Sequence, residues 1–282
     1  MTQTKPALTD FKAIIFDCYG TLADWETGIY TGLKPLLARF PSSSTWTRKE
    51  ALLAFTEIEK NLQAKDPSVL YRDLLAQAHA VLANGLRDNS SGPISPPLDS
   101  KSASNLESAA FGDSIKDWPI FPDTCAALRV LEQHYKLVIL SNVDHASFAH
   151  THVHLAGAAE SEAAAYMRPA DANPYWRPGA RSPFSLILTA QDTGVYKPDP
   201  RGMRAALAAV EAELGVAQDQ VLVVAQSLYH DIEPSSALGV RSVWIDRQAA
   251  VMGLETAAEA PKWLKRFETL GEMAEAVQAE TK

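Results

Sequence analysis

The sequence predicts an α/β fold: a parallel sheet covered by helices on both faces, with a mostly helical domain inserted near its start. Three observations predict it. Short apolar runs rich in β-branched residues recur along the chain, each ending in polar residues. Helical patterns separate most of these runs. A long stretch after the first run carries helical patterns only. Continuous apolar runs of this kind are buried parallel strands, and their alternation with helices makes a doubly covered sheet. Ligands bind such sheets beyond the C-terminal ends of the strands, which is where the polar residues fall.

The first run, residues 11–16 (FKAIIF), leads into Asp17-Cys18-Tyr19-Gly20-Thr21-Leu22 and reads as a strand entering a tight turn. Residues 136–140 (KLVIL) end at Ser141-Asn142, and residues 184–188 end near Thr189-Ala190-Gln191-Asp192. Residues 221–224 (VLVV) end at Ala225-Gln226-Ser227, and residues 242–245 (SVWI) end at Asp246-Arg247. Helical patterns cover 123–134, 145–155, 201–214 and 231–238. An amphipathic segment over 261–279 predicts a last helix packed on the core.

The stretch 24–118 holds helical patterns near 28–39, 47–63 and 68–86. The chain returns to the sheet near Asp117-Trp118-Pro119, because proline stops a helix. The expected organisation is therefore a core of residues 1–23 and 119–282 and a helical insertion of residues 24–118. A Ser/Pro-rich loop is expected at 87–104, where few large apolar groups are available to bury. Residues 157–183 carry Pro169, Pro174, Pro178 and Pro183 among Tyr166, Tyr175 and Trp176. They form either a surface excursion or an aromatic lid.

Composition narrows the function. The chain of 282 residues is long enough to bury a core without disulfides, and its two cysteines exclude a disulfide scaffold or a Cys-rich zinc module. A net charge of −8 argues against a nucleic-acid binder, which needs a basic face. No signal-peptide pattern and no long apolar window is present, so a cytoplasmic protein without membrane contact is expected. A homodimer is a general expectation for soluble enzymes.

Four strand-end groups can carry chemistry. Asp17 is placed either to attack a bound substrate or to cap a strand-to-helix junction. Gly20 lets the turn approach a ligand, and backbone N–H groups in such a turn can hold an anion. Ser141 and Asn142 supply hydroxyl and amide donors, or cap a helix. Lys197 stands between prolines in VYKPDP, where a fixed ammonium facing Asp17 keeps it ionised and attracts an anionic substrate. Asp231, in AQSLYHDI, is placed to orient water, Lys197 or a metal, or to cap. His150, His152 and His154 alternate, but on a helix i and i+2 point apart, so no metal site is expected there. His230 is either a base near neutral pH or a structural histidine. Cys18 reads as packing.

In this order, Asp17–Leu22, Ser141-Asn142, Tyr196–Pro200 and Ser227–Asp231 resemble the haloacid dehalogenase superfamily of aspartate-nucleophile hydrolases. Within it the chain is most similar to the type II (L-2-haloacid) dehalogenases. The resemblance runs from Phe11 to about Arg247. It implies a Rossmann-like core, a helical cap inserted after the first strand, Asp17 as nucleophile and Lys197 as its positive partner. It further implies Thr21 and Ser141 as anion contacts; in the expected mechanism Thr21, Ser141 and Asn142 bind the substrate carboxylate or developing negative charge. Asp231, with His230, would position water or Lys197. Tyr19, Gln226, Ser227 and Tyr229 would line the site.

The departures from the family patterns separate its chemistries. Phosphatases of the superfamily place a second aspartate where Tyr19 stands, and Gly-Asp where Ala225-Gln226 stand. Magnesium needs such carboxylates, so no cofactor is expected. The cap arginine of dehalogenases has no clear counterpart: Arg48 and Arg72 lie on cap helices, and residues 55–60 (FTEIEK) are acidic. The expected function is metal-independent attack on carbon, as in 2-haloacid dehalogenation, on a small anionic substrate. The alternatives are a magnesium-dependent phosphatase, a hydrolase or lyase of a specialised metabolite, and a non-catalytic homologue.

Overall fold

A computed structural model describes residues 6–88, 100–156, 182–254 and 263–281. The chain divides into two compact units, one of Met1–Asp24 with Ile120–Lys282 and one of Trp25–Pro119.

The first unit is built on a sheet of six parallel strands in the order β3-β2-β1-β4-β5-β6. β1 (Ala13–Phe16) is buried along its whole length. Its run Ala-Ile-Ile-Phe has no polar side to present, so it takes a central place, paired on both edges. After the insertion come α5 (Thr124–Leu131), β2 (Lys136–Ser141) and α6 (His145–Ala156). Next are β3 (Phe184–Thr189), α7 (Pro200–Leu214) and β4 (Val221–Ala225). β5 (Arg241–Ile245), β6 (Lys265–Phe267) and α8 (Leu270–Glu280) complete the unit. One face of the sheet packs Ile15, Val138, Leu188 and Val223 against Met203, Ala206 and Val210 of α7. Burying each large aliphatic side chain contributes about 1.5–3 kcal/mol.

The second unit holds α1 (Trp25–Leu37), α2 (Arg48–Lys65), α3 (Tyr71–Asp88) and α4 (Ser100–Gly112). A capping box starts α2: Thr47 Oγ1 accepts from Glu50 N at 3.3 Å, and Thr47 N donates to Glu50 Oε2 at 2.8 Å. Gly28 is required on α1, since a Cβ there would stand 2.4 Å from the Trp118 ring. His79 is buried, stacked on Phe111 with its Nδ1 3.0 Å from Ser108 Oγ.

Two expectations need correction. The loop expected at 87–104 is shorter: α3 runs through Asp88 and α4 begins at Ser100. Pro97 is the last helix breaker in that span, so the Ser/Ala sequence after it is free to coil. Residues 89–99 lie outside the described residues. The single helix expected over 261–279 is instead β6 followed by α8, started by Thr269, whose side chain accepts from Glu272 N at 3.1 Å. A three-residue edge strand is too short to show a period of its own. The excursion at 157–183 lies outside the described residues up to Arg181. Ser182 Oγ meets His152 Nε2 at 2.8 Å. Among the described residues no helix is long and apolar enough to cross a membrane.

Candidate active site

The sheet register brings the strand ends together. Asp17 N donates to the Val224 carbonyl at 3.1 Å, so β1 pairs with β4 up to the residue that leaves the sheet. The chain then turns sharply. Gly20 takes φ 101°, and the N–H groups of Thr21, Leu22 and Ala23 all point at the Cys18 carbonyl, at 3.2, 2.7 and 3.0 Å. A side chain at that φ would be strained, which explains the glycine.

Lys197 lies at the centre. It is 5% exposed, and its Nζ donates to Asp17 Oδ1 at 2.8 Å, Asp231 Oδ1 at 2.9 Å and the Leu140 carbonyl at 2.9 Å. Its three donors thus have three acceptors. Burial disfavours the ammonium, but the charges of Asp17 and Asp231 outweigh it, and the pKa is raised. One cation faces two carboxylates, so one carboxylate carries the excess. Burial pushes Asp231 up to about 7, while Lys197 pulls it down and Asp17 pushes it further up.

Asp231 reaches this point through a wide turn, Leu228–Ile232, in which Ile232 N bonds the Ser227 carbonyl at 3.2 Å, five residues back. Such turns concentrate at functional sites. A helix was expected from residue 231; instead a short helix, Glu233–Ala237, follows the wide turn.

Several expected substrate contacts are engaged inside the protein. Thr21 Oγ1 donates to Asp17 Oδ2 at 2.6 Å and accepts from Gln226 N at 2.8 Å. Asn142 clamps the Lys197 peptide: its Oδ1 accepts from Lys197 N at 2.7 Å and its Nδ2 donates to the Lys197 carbonyl at 3.0 Å. The Gln226 amide donates to the Met252 carbonyl at 2.9 Å, away from Asp17, and its backbone carbonyl accepts from Trp244 Nε1 at 2.9 Å. Ser227 Oγ lies 3.1 Å from both His230 N and His230 Nδ1, a local cap. These polar groups position neighbours, and residue type alone does not reveal which way each one faces.

Other predicted residues stand differently. Ser141 Oγ and Asp231 Oδ2 are buried with no hydrogen-bond partner among the described residues. Such orphans are rare and point to a solvent or substrate group that completes them. Tyr19 OH is 2.7 Å from Thr151 Oγ1, and burial holds the phenol well above its ordinary pKa. Tyr229 is exposed, with its ring edge-on to His230 at 5.0 Å.

His150 and His154 are exposed while His152 is buried, as the helical spacing requires. Among the described residues no group of three or more His, Cys, Asp or Glu could hold a metal. In the second unit, Arg48 pairs with Glu26 and Arg72 with Asp113. The Leu140 carbonyl and the Met252 carbonyl had no sequence signal, since neither depends on its side chain.

A family model described as haloacid dehalogenase-like hydrolase matches residues 11–239. The fold is similar to that of an L-2-haloacid dehalogenase, with TM-score 0.63 and 20% identity over 95% of this chain and 99% of that one. It is also similar to the L-2-haloacid dehalogenase from Xanthobacter autotrophicus, with TM-score 0.61 and 19% identity over 95% and 98% of the two chains. At such identities the likeness is one of fold. A phosphoserine phosphatase from Thermus thermophilus is 41% identical over 64 residues, 23% of this chain. The match spans about a quarter (24%) of that relative's length.

Proposed function

The chain belongs to the haloacid dehalogenase-like hydrolases, and from that premise we propose a hydrolase in which Asp17 attacks a substrate carbon bearing a halide. The observation that carries this reading is the ion pair of Lys197 Nζ with Asp17 Oδ1, 2.8 Å apart and buried. It holds a carboxylate charged and oriented at the end of the central strand. A carboxylate oxygen of Asp17 forms the new C–O bond, and the halide leaves with the C–X electron pair. Water then attacks the carbonyl carbon of the Asp17 ester, frees the hydroxy product and restores the carboxylate. Oδ2 of Asp231, without a partner among the described residues, accepts a proton from the water and returns it to the departing product oxygen as the ester C–O bond breaks, and the water's second proton leaves to solvent. Lys197 stabilises the negative charge as it returns to Asp17. Thr21, Asn142 and Gln226 serve as positioning residues, and the Ser141 hydroxyl is the donor left for the substrate.

The leaving group decides between this reading and a phosphatase. A halide departs as a stable anion. An alkoxide needs a proton, worth about 10²–10⁴ in rate. The residue two after Asp17 is the phenol of Tyr19, held to Thr151. The donor set also does not suit magnesium, which prefers several hard oxygen ligands in a tight octahedron. Asp17 and Asp231 both already bind Lys197 Nζ, and the Gln226 amide faces Met252.

The test is a single turnover with enzyme in excess. The protein is incubated with 2-chloropropionate in heavy-oxygen water with EDTA present. Halide release and one labelled oxygen in the Asp17 carboxylate are expected. No halide, together with magnesium-dependent hydrolysis of a phosphate ester, overturns the proposal.

A further inference from the structure

Thr21 is gripped at both ends. Its hydroxyl donates to Asp17 Oδ2 at 2.6 Å, and its carbonyl accepts from the guanidinium of Arg247, from Nη2 at 2.8 Å and Nε at 3.3 Å. Arg247 is two residues beyond β5 and 226 positions from Thr21 in sequence, yet it is only 7% exposed. Its Nη1 donates to Asp123 Oδ1 at 2.7 Å, and its Cζ lies 4.0 Å from the centre of the Phe121 ring. Asp123 is fixed in turn: its Oδ2 accepts from Leu270 N at 2.8 Å and Gly271 N at 3.1 Å, at the start of α8. Burial works against the Asp123 charge, but Arg247 and the Gly271 amide hold its carboxyl below the usual range.

The turn makes this grip consequential. The amides of residues 21, 22 and 23 all bond the Cys18 carbonyl, so the turn closes on itself and leaves the Thr21 carbonyl facing Arg247. Loss of this grip would free residue 21 to shift as a whole, and its hydroxyl would move with it off Asp17 and off Gln226 N. From this geometry we infer that Arg247 is a positioning residue of the reaction, orienting the Asp17 carboxylate through the Thr21 peptide. The inference rests on Asp17 being the nucleophile. The planar fork is needed because one group must meet a carbonyl, a carboxylate and a ring face at once. A lysine ammonium is a point charge and has no face to stack.

The two acceptors of Arg247 allow its roles to be separated. Arg247→Lys loses the double contact with the Thr21 carbonyl. Asp123→Asn weakens the arm that runs to α8 and leaves the Thr21 contact in place. Halide release from 2-chloropropionate is measured as kcat and KM, beside thermal melting. Misplacing a reacting group by about 1 Å costs on the order of 10²-fold in rate, so Arg247→Lys should lower kcat by about that factor with KM within about threefold. Asp123→Asn should lower the melting temperature and keep kcat within about twofold. Added guanidinium should recover part of the kcat of Arg247→Ala. If both variants lose kcat in proportion to melting temperature, or if Arg247→Lys keeps its kcat, the assignment is overturned.

Hydrogen exchange separates this failure from failure of the proposed chemistry. If the wild type releases no halide, the chemistry is wrong, and the clamp is judged by the amides of residues 17–24. Faster exchange there in Arg247→Lys at an unchanged melting temperature supports it. Exchange equal to wild type removes it.

Discussion

Replacing Lys197 with methionine perturbs the charge balance at the centre of the site. Methionine keeps most of the stem and removes the ammonium. The Oδ1 atoms of Asp17 and Asp231 then stay within about 6 Å of each other, with no cation between them. At that spacing and an effective dielectric constant of about 20, two charges repel by about 3 kcal/mol. Removing one partner of a buried ion pair costs about 3–5 kcal/mol. The pH dependence has a definite sign. The Asp231 carboxyl already lies at about 7, above its unfolded value, and rises further without Lys197. The folded variant therefore binds more protons than its unfolded chain. Its stability is kept near the unfolded carboxyl pKa of about 4 and lost as pH rises through the folded value. Thermal melting between pH 5 and pH 8 measures this. With about 2–4 °C per kcal/mol, the variant should melt about 6–20 °C below wild type at pH 8, and the gap should narrow on acidification. A variant that melts with wild type at pH 8, or a gap that widens towards pH 5, would refute the assignment of Lys197 as the counter-charge of both carboxylates.

Further predictions concern the surroundings of the cluster. His152 is fully buried and its imidazole is pushed down by burial to about 4. The unfolded chain takes up the proton first, so stability falls as pH drops from about 6.5 to 4, by up to about 3 kcal/mol. Urea midpoints across that range should show the slope in wild type and a flatter one in His152→Gln; equal slopes count against it. Asn142→Ala releases the Lys197 peptide and should lower kcat for halide release about tenfold or more with little change in KM; wild-type kcat would deny the clamp a role. Gly253 takes φ 76°, and a Cβ there would stand 2.9 Å from Gln226 Oε1 and 3.2 Å from Ser227 Oγ. Gly253→Ala should cost about 1–3 kcal/mol in denaturant unfolding, and an unchanged midpoint would show that the strand-end turn yields without strain.

The sheet was legible because its strands are buried on both faces and therefore read as apolar runs. The meeting of Asp17, Lys197 and Asp231 was legible for a related reason: each follows one of those runs, and parallel strands deliver their C-terminal ends to one edge. What the side chains do there was not. Thr21, Asn142 and Gln226 carry donors and acceptors that could serve a ligand or a neighbour, and only their orientation shows that they serve neighbours. Arg247 was invisible as a partner of Thr21 because nothing local links them; the contact exists only once β5 and β1 lie in one sheet. β6 was hidden for want of length, since its three residues pair at the edge of the sheet and bury little.

The charge count also changes what Lys197 does. Read alone, a strand-end lysine attracts an anionic substrate. In the folded site its charge is already set against two carboxylates at hydrogen-bond distance, so the cluster is neutral when Asp231 is protonated and carries one negative charge when it is not. The ammonium therefore has no surplus field for an incoming anion. Its work in the folded site is to offset buried carboxylate charge and to fix the Oδ1 atoms of Asp17 and Asp231. Burial pushes the Asp231 carboxyl up against the pull of Lys197, so under the proposed reaction Asp231 is the member of the cluster that exchanges a proton.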